Sequence, residues 1–340
     1  MKKKVIAVIL CLVLAAGGLT ACSSDNKDTA GKGSTGKEDS LKKVRIVLDW
    51  TPNTNHTGLY VAQDQGYFKE EGLDVEIMQP PEGSTTSLVG AGGAEFGISF
   101  QDTLAPTYAS DSPMPVTAVA AIIQHNTSGI ISLKKLGIDS PKKMEGHTYA
   151  TWDSPIELAI IKKIVEDDGG DYSKIKMIPN TVTDVVTALK TDIDTVWVYY
   201  AWDGIATKVA GLETNYLNFA DYGKELDYYS PVIIANDSFL KKDPDTAKKF
   251  LNAVKKGYEY AIAEPEKAAD ILVKAVPELD SKMVTESQKW LADQYKADVT
   301  RWGYIDKDRW DSFYKWLYDN KLIDKEISSG TGFSNDYLAE

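Results

Sequence analysis

The chain has 340 residues, 43% of them hydrophobic, with 50 acidic side chains against 38 basic ones and a formal net charge of −12. That balance excludes a nucleic-acid binder, which needs Lys and Arg concentrated along a phosphate track. The length suffices for two domains of ordinary size.

The first 21 residues read as an export signal. Lys2, Lys3 and Lys4 precede an apolar run, residues 5–16, that is too short to span a membrane as a mature helix. Leu19-Thr20-Ala21-Cys22 then resembles the lipobox of bacterial lipoproteins, in which the Cys is lipidated after cleavage in front of it. Cys22 is therefore the expected lipidation site, and the chain is expected at the extracytoplasmic face of a cell membrane. Residues 22–42, poor in apolar side chains, read as its tether. Cys11 lies in the removed part, so no disulfide and no multi-cysteine metal site is expected. Loss of the three lysines leaves 35 basic against 50 acidic residues, a charge of −15.

From residue 44 onward short apolar runs alternate with helical stretches. Residues 44–48 form a strand rich in β-branched side chains. A polar loop, Asp49 to His56, leads to a helix at 59–65 that Gly66 can terminate. Strands are predicted at 73–78, 95–100 and 115–124, with helices at 84–90 and 101–109. This βαβαβ order implies a mainly parallel sheet. A turn-rich segment, 136–146, opens a second unit. It holds strands at 147–151, 176–179 and 195–200 and helices at 156–167 and 183–190, with Pro155 suited to a first helical turn. Residues 230–235 read as a strand returning to the first unit. Four amphipathic helices follow, at 243–263, 265–275, 281–295 and 306–320. The predicted organisation is one α/β lobe over 43–135, a second over 136–229, and a return plus helical tail over 230–340. Two α/β lobes joined by crossing strands point to a clamshell with a hinge, by fold analogy.

Open α/β sheets bind ligands at the carboxyl ends of their strands. The loop after the first strand carries Trp50 as a stacking face and Asp49, Asn53, Asn55 and His56 as donors and acceptors. For His56, capping or packing stands beside ligand contact. Gln101 and Asp102 follow the third strand, and Asp102 either caps the next helix or meets a ligand. Trp152 holds the matching place in the second lobe. The stretch 196–204, VWVYYAWDG, delivers Tyr199, Tyr200, Trp202 and Asp203 toward the crevice. Its rings can box a flat base while the carboxylate reads an amine edge, and Trp197 reads as core. His125 and His147 read as structural. The chain lacks G-x-S-x-G, H-E-x-x-H and P-loop patterns, and no catalytic residue, metal or cofactor is expected.

The run DWTPNTNHTGLYVAQDQGYFKEEGLDVEI resembles the opening of the thiamine-pyrimidine family of type II periplasmic binding folds. The resemblance extends through FGISFQDTLAP, WVYYAWDG and NDSFLKKDPDTAKKFLNAVKKGYEYA. It implies a monomeric receptor that holds a thiamine-precursor pyrimidine between two lobes and passes it to an ABC permease and its ATPase. It further implies stacking on Trp50 and the Tyr199/Tyr200 pair, with Asp203, or else Asp49, reading the aminopyrimidine edge. Receptors for riboflavin-like solutes or sulfonates are more distant members. The synthase branch of the same family carries a reactive Lys and His around residues 97–105, where this chain has Ser99, Asp102 and Thr103. That difference favours a binding protein over an enzyme.

Overall fold

Strand β1, Lys42–Val47, buries Val44, Ile46 and Val47, and its neighbours arrange themselves on either side of it. The computed structural model describes residues 41–79 and 82–339. The expected signal, Cys22 and nearly all of the expected tether therefore lie outside the described residues. No helix among the described residues is long and apolar enough to cross a membrane.

The first lobe contains α1 (Thr57–Asp64), α2 (Tyr67–Glu70), β2 (Leu73–Met78), α3 (Thr85–Gly90), β3 (Phe96–Ser99), α4 (Gln101–Tyr108) and β4 (Val116–Ala121). Gly66 ends α1 from the left-handed region, φ 78°. Ser84 caps α3 by accepting the Ser87 N–H. The second lobe contains β5 (Ser128–Leu133), β6 (Thr148–Thr151), α5 (Pro155–Asp167), β7 (Lys176–Pro179), α6 (Val185–Ala188), β8 (Thr195–Tyr199), α7 (Ile205–Val209) and β9 (Thr214–Asn218). Then come β10 (Val232–Asn236), α8 (Asp237–Lys242), α9 (Pro244–Ala263), α10 (Pro265–Ala275), α11 (Ser281–Ala292) and α12 (Lys307–Asp319).

The two sheets share one plan. Their strand orders are β2-β1-β3-β10-β4 and β7-β6-β8-β5-β9. In each, four strands run in one direction and one strand runs against its two neighbours: β10 in the first sheet, β5 in the second. The expected mainly parallel sheet is thus mixed, for a geometric reason. Both reversed strands follow a crossing, so they enter their sheet from the crevice side, where the parallel residents end. The lobe boundary expected at residue 136 also moves, because Ser128–Leu133 is already a strand of the second sheet.

The tail joins the lobes. Helix α9 lies across α1, and the contact is close because Gly58 and Gly257 meet there. Helix α11 packs on α10 and also reaches α7 of the second lobe, where Lys208 pairs with Glu286 at 3.3 Å. The carboxyl ends of β3 and β8 meet between the lobes, where Phe100 and Tyr199 stack.

Candidate functional site

The loop after β1 is held from within and from behind. The Asn53 side-chain oxygen accepts the Asn55 N–H at 2.9 Å, and its amide donates to Thr51 O at 3.1 Å. The Asn53 backbone N–H donates to His56 Nδ1 at 3.1 Å. That bond leaves the ring proton on Nε2, which lies 2.8 Å from Asp49 Oδ1 and donates to it. From behind, Tyr258 and Tyr295 donate to Asn55 O and Thr54 O at 2.6 and 2.7 Å, and Thr54 meets Ser287 of α11. The tail therefore fixes a loop whose outward face carries Trp50, 57% exposed, and the half-buried Asn55. Asn53 and His56, read from the sequence as ligand contacts, are 7% and 0% exposed with their polar atoms already used. His56 holds Asp49, and Asn53 holds the loop around it.

The matching loop of the second lobe is built on a buried acid. Glu157, 1% exposed, accepts from Tyr149 OH at 2.6 Å, Thr151 Oγ1 at 2.9 Å and Ser154 N–H at 3.2 Å. Asp153 sits at φ 62°, a left-handed position uncommon for a side chain other than glycine. Trp152 stands out from this loop, 45% exposed, edge-on to Trp197 at 5.2 Å. Trp197 itself is core, packed against Phe219 at 4.2 Å.

Strand β8 ends in a π-helical turn, Tyr200–Gly204. Such turns put extra residues into a helix start and often occur at binding sites. Here the turn is tied to α11: Ser287 Oγ donates to Ala201 O, and Tyr200 packs 5.1 Å from Trp290. Trp202 rests against the patch formed by Tyr60, Leu272 and Val284, and so braces the first-lobe helices. Asp203 Oδ2 accepts the Tyr199 N–H at 3.3 Å. Burial pushes the Asp203 carboxyl up to about 6; that N–H bond opposes the rise and the Asp184 charge adds to it.

Tyr199 is where the lobes meet. Its ring stacks on Phe100 of the first lobe, centroids 5.9 Å apart and planes 24° apart. Burial raises its phenol far above the usual range, and the charges of Asp102, Asp49 and Asp203 add to the rise. The stacked Phe100 and Tyr199 thus join the ends of β3 and β8, with Asp102 and Asp203 in the turns that follow. Gln101 does not join them. It is fully buried, donates to Trp310 O at 2.8 Å and accepts the Tyr229 N–H at 2.9 Å, so it braces α4 against the tail. Asp102 is half-buried, with its carboxyl pushed up to about 6 by burial against N–H bonds from Thr103 and its own backbone. Phe100, Trp290 and Ser287 were not singled out from the sequence. An aromatic immediately after β3 is the signal that could have found Phe100.

The crossing segments lie beside this site. His125 Nδ1 is 2.7 Å from Asp227 and its Nε2 is 3.1 Å from Asp298. Asn126 binds back to Asp227 and to Leu226 O, at 2.9 and 2.8 Å. His147 pairs with Asp194 at 3.1 Å, away from the crevice loops.

Comparison with known proteins places this architecture. A family model described as NMT1/THI5 like matches residues 53–268. The chain belongs to the NMT1/THI5-like family. One relative is the formylaminopyrimidine-binding protein of Halalkalibacterium halodurans, 26% identical over 338 residues and covering 98% of each chain. Another is the 4-amino-5-hydroxymethyl-2-methylpyrimidine phosphate synthase THI11 of Saccharomyces cerevisiae, 26% identical, covering 88% of this chain and 89% of the synthase. Among solved structures, the alkanesulfonate-binding protein SsuA of Xanthomonas axonopodis pv. citri, bound to MOPS, superposes with a TM-score of 0.66 at 10% identity. The match covers 87% of this chain and 98% of that one. The fold is therefore that of periplasmic binding proteins. In this member of the NMT1/THI5-like family, the β3–α4 junction carries a hydroxyl chain: Thr86 meets Ser99 at 3.0 Å and Ser99 meets Thr103 at 3.1 Å.

Proposed function

We propose that this protein is the solute-binding component of an ABC importer and captures a thiamine-precursor pyrimidine, such as N-formyl-4-amino-5-aminomethyl-2-methylpyrimidine, between its lobes. In this reading the mature chain is a monomer anchored outside the membrane through lipidated Cys22. It delivers its ligand to a permease and its ATPase. The observation that carries the reading is the electrostatics of the crevice. Asp102, Asp49 and Asp203 are the charges that add to the raised titration of the inter-lobe ring of Tyr199, and burial pushes the Asp102 and Asp203 carboxyls up to about 6. A planar ring bearing amines satisfies such a site through N–H donors, with Trp50 and Trp152 as exposed faces to close over it.

The same acids oppose a sulfonate, because like charges in a half-buried crevice repel and lose hydration together. A riboflavin-like solute is the nearer alternative. The synthase reading has the yeast relative in its favour, but Ser99, Asp102 and Thr103 offer no amine for a Schiff base and no imidazole at the β3–α4 junction. Thermal unfolding with a panel of solutes tests the proposal, since a ligand that binds only the folded state raises its melting point. Stabilisation by aminopyrimidines and none by alkanesulfonates is expected. Stabilisation by a sulfonate alone would overturn it.

A further inference from the structure

Beneath the Tyr199 ring lies a group of polar atoms that the folded chain leaves unmatched. Asp102 Oδ1, Ser230 Oγ and Tyr228 OH are shut off from solvent and make no full hydrogen bond among the described residues. Ser230 and Tyr228 are each 1% exposed. The Ser230 hydroxyl makes only a loose approach to Tyr199, and the Tyr228 hydroxyl to Ser128 and Asn126. These groups lie on neighbouring segments: the Gln101 N–H donates to Tyr229 O at 3.1 Å, Gln101 accepts the Tyr229 N–H at 2.9 Å, and Val232 pairs with Ser99. They come from separate segments, the start of α4 and the returning crossing before β10. Folded chains rarely leave three buried polar groups in one place without partners.

Asp203 offers a carboxylate on the second lobe, and Asp102 offers one on the first. A ligand that meets both needs donors at two separated points. The Asp102 carboxylate has free acceptor capacity, and Ser230 and Tyr228 can turn their hydroxyls to donate or accept. An ammonium presents three donors and a full charge, whereas a formamide presents one N–H and a carbonyl oxygen that faces the carboxylate unfavourably.

We propose that Asp102, Ser230 and Tyr228 form a second polar subsite that takes a free, protonated amine arm on the bound ring, so that the protein prefers the unblocked aminomethyl pyrimidine to its N-formyl derivative. The inference rests on the proposed pyrimidine site and sharpens its substrate class. The ring edge engages Asp203 while the arm reaches under Tyr199 to Asp102, and closing the lobes brings the two acids onto one molecule.

Calorimetric titration of the full mature chain with 4-amino-5-aminomethyl-2-methylpyrimidine and with its N-formyl derivative tests this. The wild type should bind the free amine about tenfold more tightly or better, the range of a charge-assisted hydrogen bond. Asp102→Asn should bring the two affinities to near parity, with the larger loss on the free amine. Ser230→Ala, which removes no charge, should reduce the preference in part. Asp203→Asn should weaken both ligands together. Equal or tighter binding of the N-formyl compound by the wild type overturns the subsite and leaves the pyrimidine receptor standing. Binding of neither compound overturns both.

Discussion

Replacing Asp203 by Asn should change stability in a way that depends on pH. The carboxyl titrates at about 6 in the fold against an ordinary 3.8, chiefly because burial disfavours its charge. Between those values the folded chain holds a proton that the unfolded chain has released. Stability attributable to this group therefore falls as pH rises from about 4 to about 6 and stays low above. At about 1.4 kcal/mol per pH unit the displacement is worth about 3 kcal/mol at most. Partial exposure of the side chain reduces the expected effect to about 1–2 kcal/mol. Asn has nearly the same shape and keeps an oxygen for the Tyr199 N–H, so Asp203→Asn removes the charge and little else. The variant should melt within about a degree of the wild type at pH 4 and about 2–4 °C above it at pH 7.5, given the entropy of unfolding of roughly 300 residues. Thermal melts of both proteins across this range, without ligand, give the difference curve. A difference that is flat with pH, or that favours the wild type at pH 7.5, would refute the claim that the crevice holds a strained, ligand-ready carboxylate.

Four further outcomes follow from the geometry. Trp50→Ala, at a side chain 57% exposed, should leave the melting point within about 1 °C, yet weaken aminopyrimidine binding several-fold by titration. His56→Ala strips Asp49 and the Asn53 N–H of their partner, so it should destabilise by about 1–3 kcal/mol in urea and weaken ligand binding as well. Gly257→Ala would set a methyl 2.0 Å from Gly58 O; the resulting separation of α1 from α9 should cost about 1–3 kcal/mol in the same assay. The hydrogen bond that His125 donates to Asp227 leads the causes that raise its titration above the usual histidine range. Its stabilisation is therefore complete below about pH 6.5 and is lost as pH rises through the raised value. His125→Gln should thus differ most from the wild type at pH 6 and least at pH 9.

Helices that pair a recognisable stop or start with an apolar stripe were legible, as with Ser84 before α3, Pro155 at the start of α5 and Gly66 after α1, whereas the short α2, α7 and α8 were not. Strand β9 was not, since Thr214–Asn218 is a half-exposed edge strand with only Leu217 buried and thus no alternation to read. The reversed direction of β10 was equally hidden, because a strand's apolar pattern is the same read either way. Within the site, Trp50, Trp152 and Asp203 stood out as aromatic and acidic residues in strand-end loops. Gln101 was misjudged because its partner, the Trp310 carbonyl, is 209 residues away. The packing of Trp202 was hidden for a related reason: its surface comes from α10 and α11, which a strand-by-strand reading does not bring near.

A crystal structure of the mature chain with 4-amino-5-aminomethyl-2-methylpyrimidine tests the central claim most directly. The account predicts the ring in the crevice, faced by an indole from Trp50 or Trp152, its amino edge on Asp203 and the lobes drawn together. A ligand bound outside the crevice, or within it but with Asp203 facing solvent, would contradict the account.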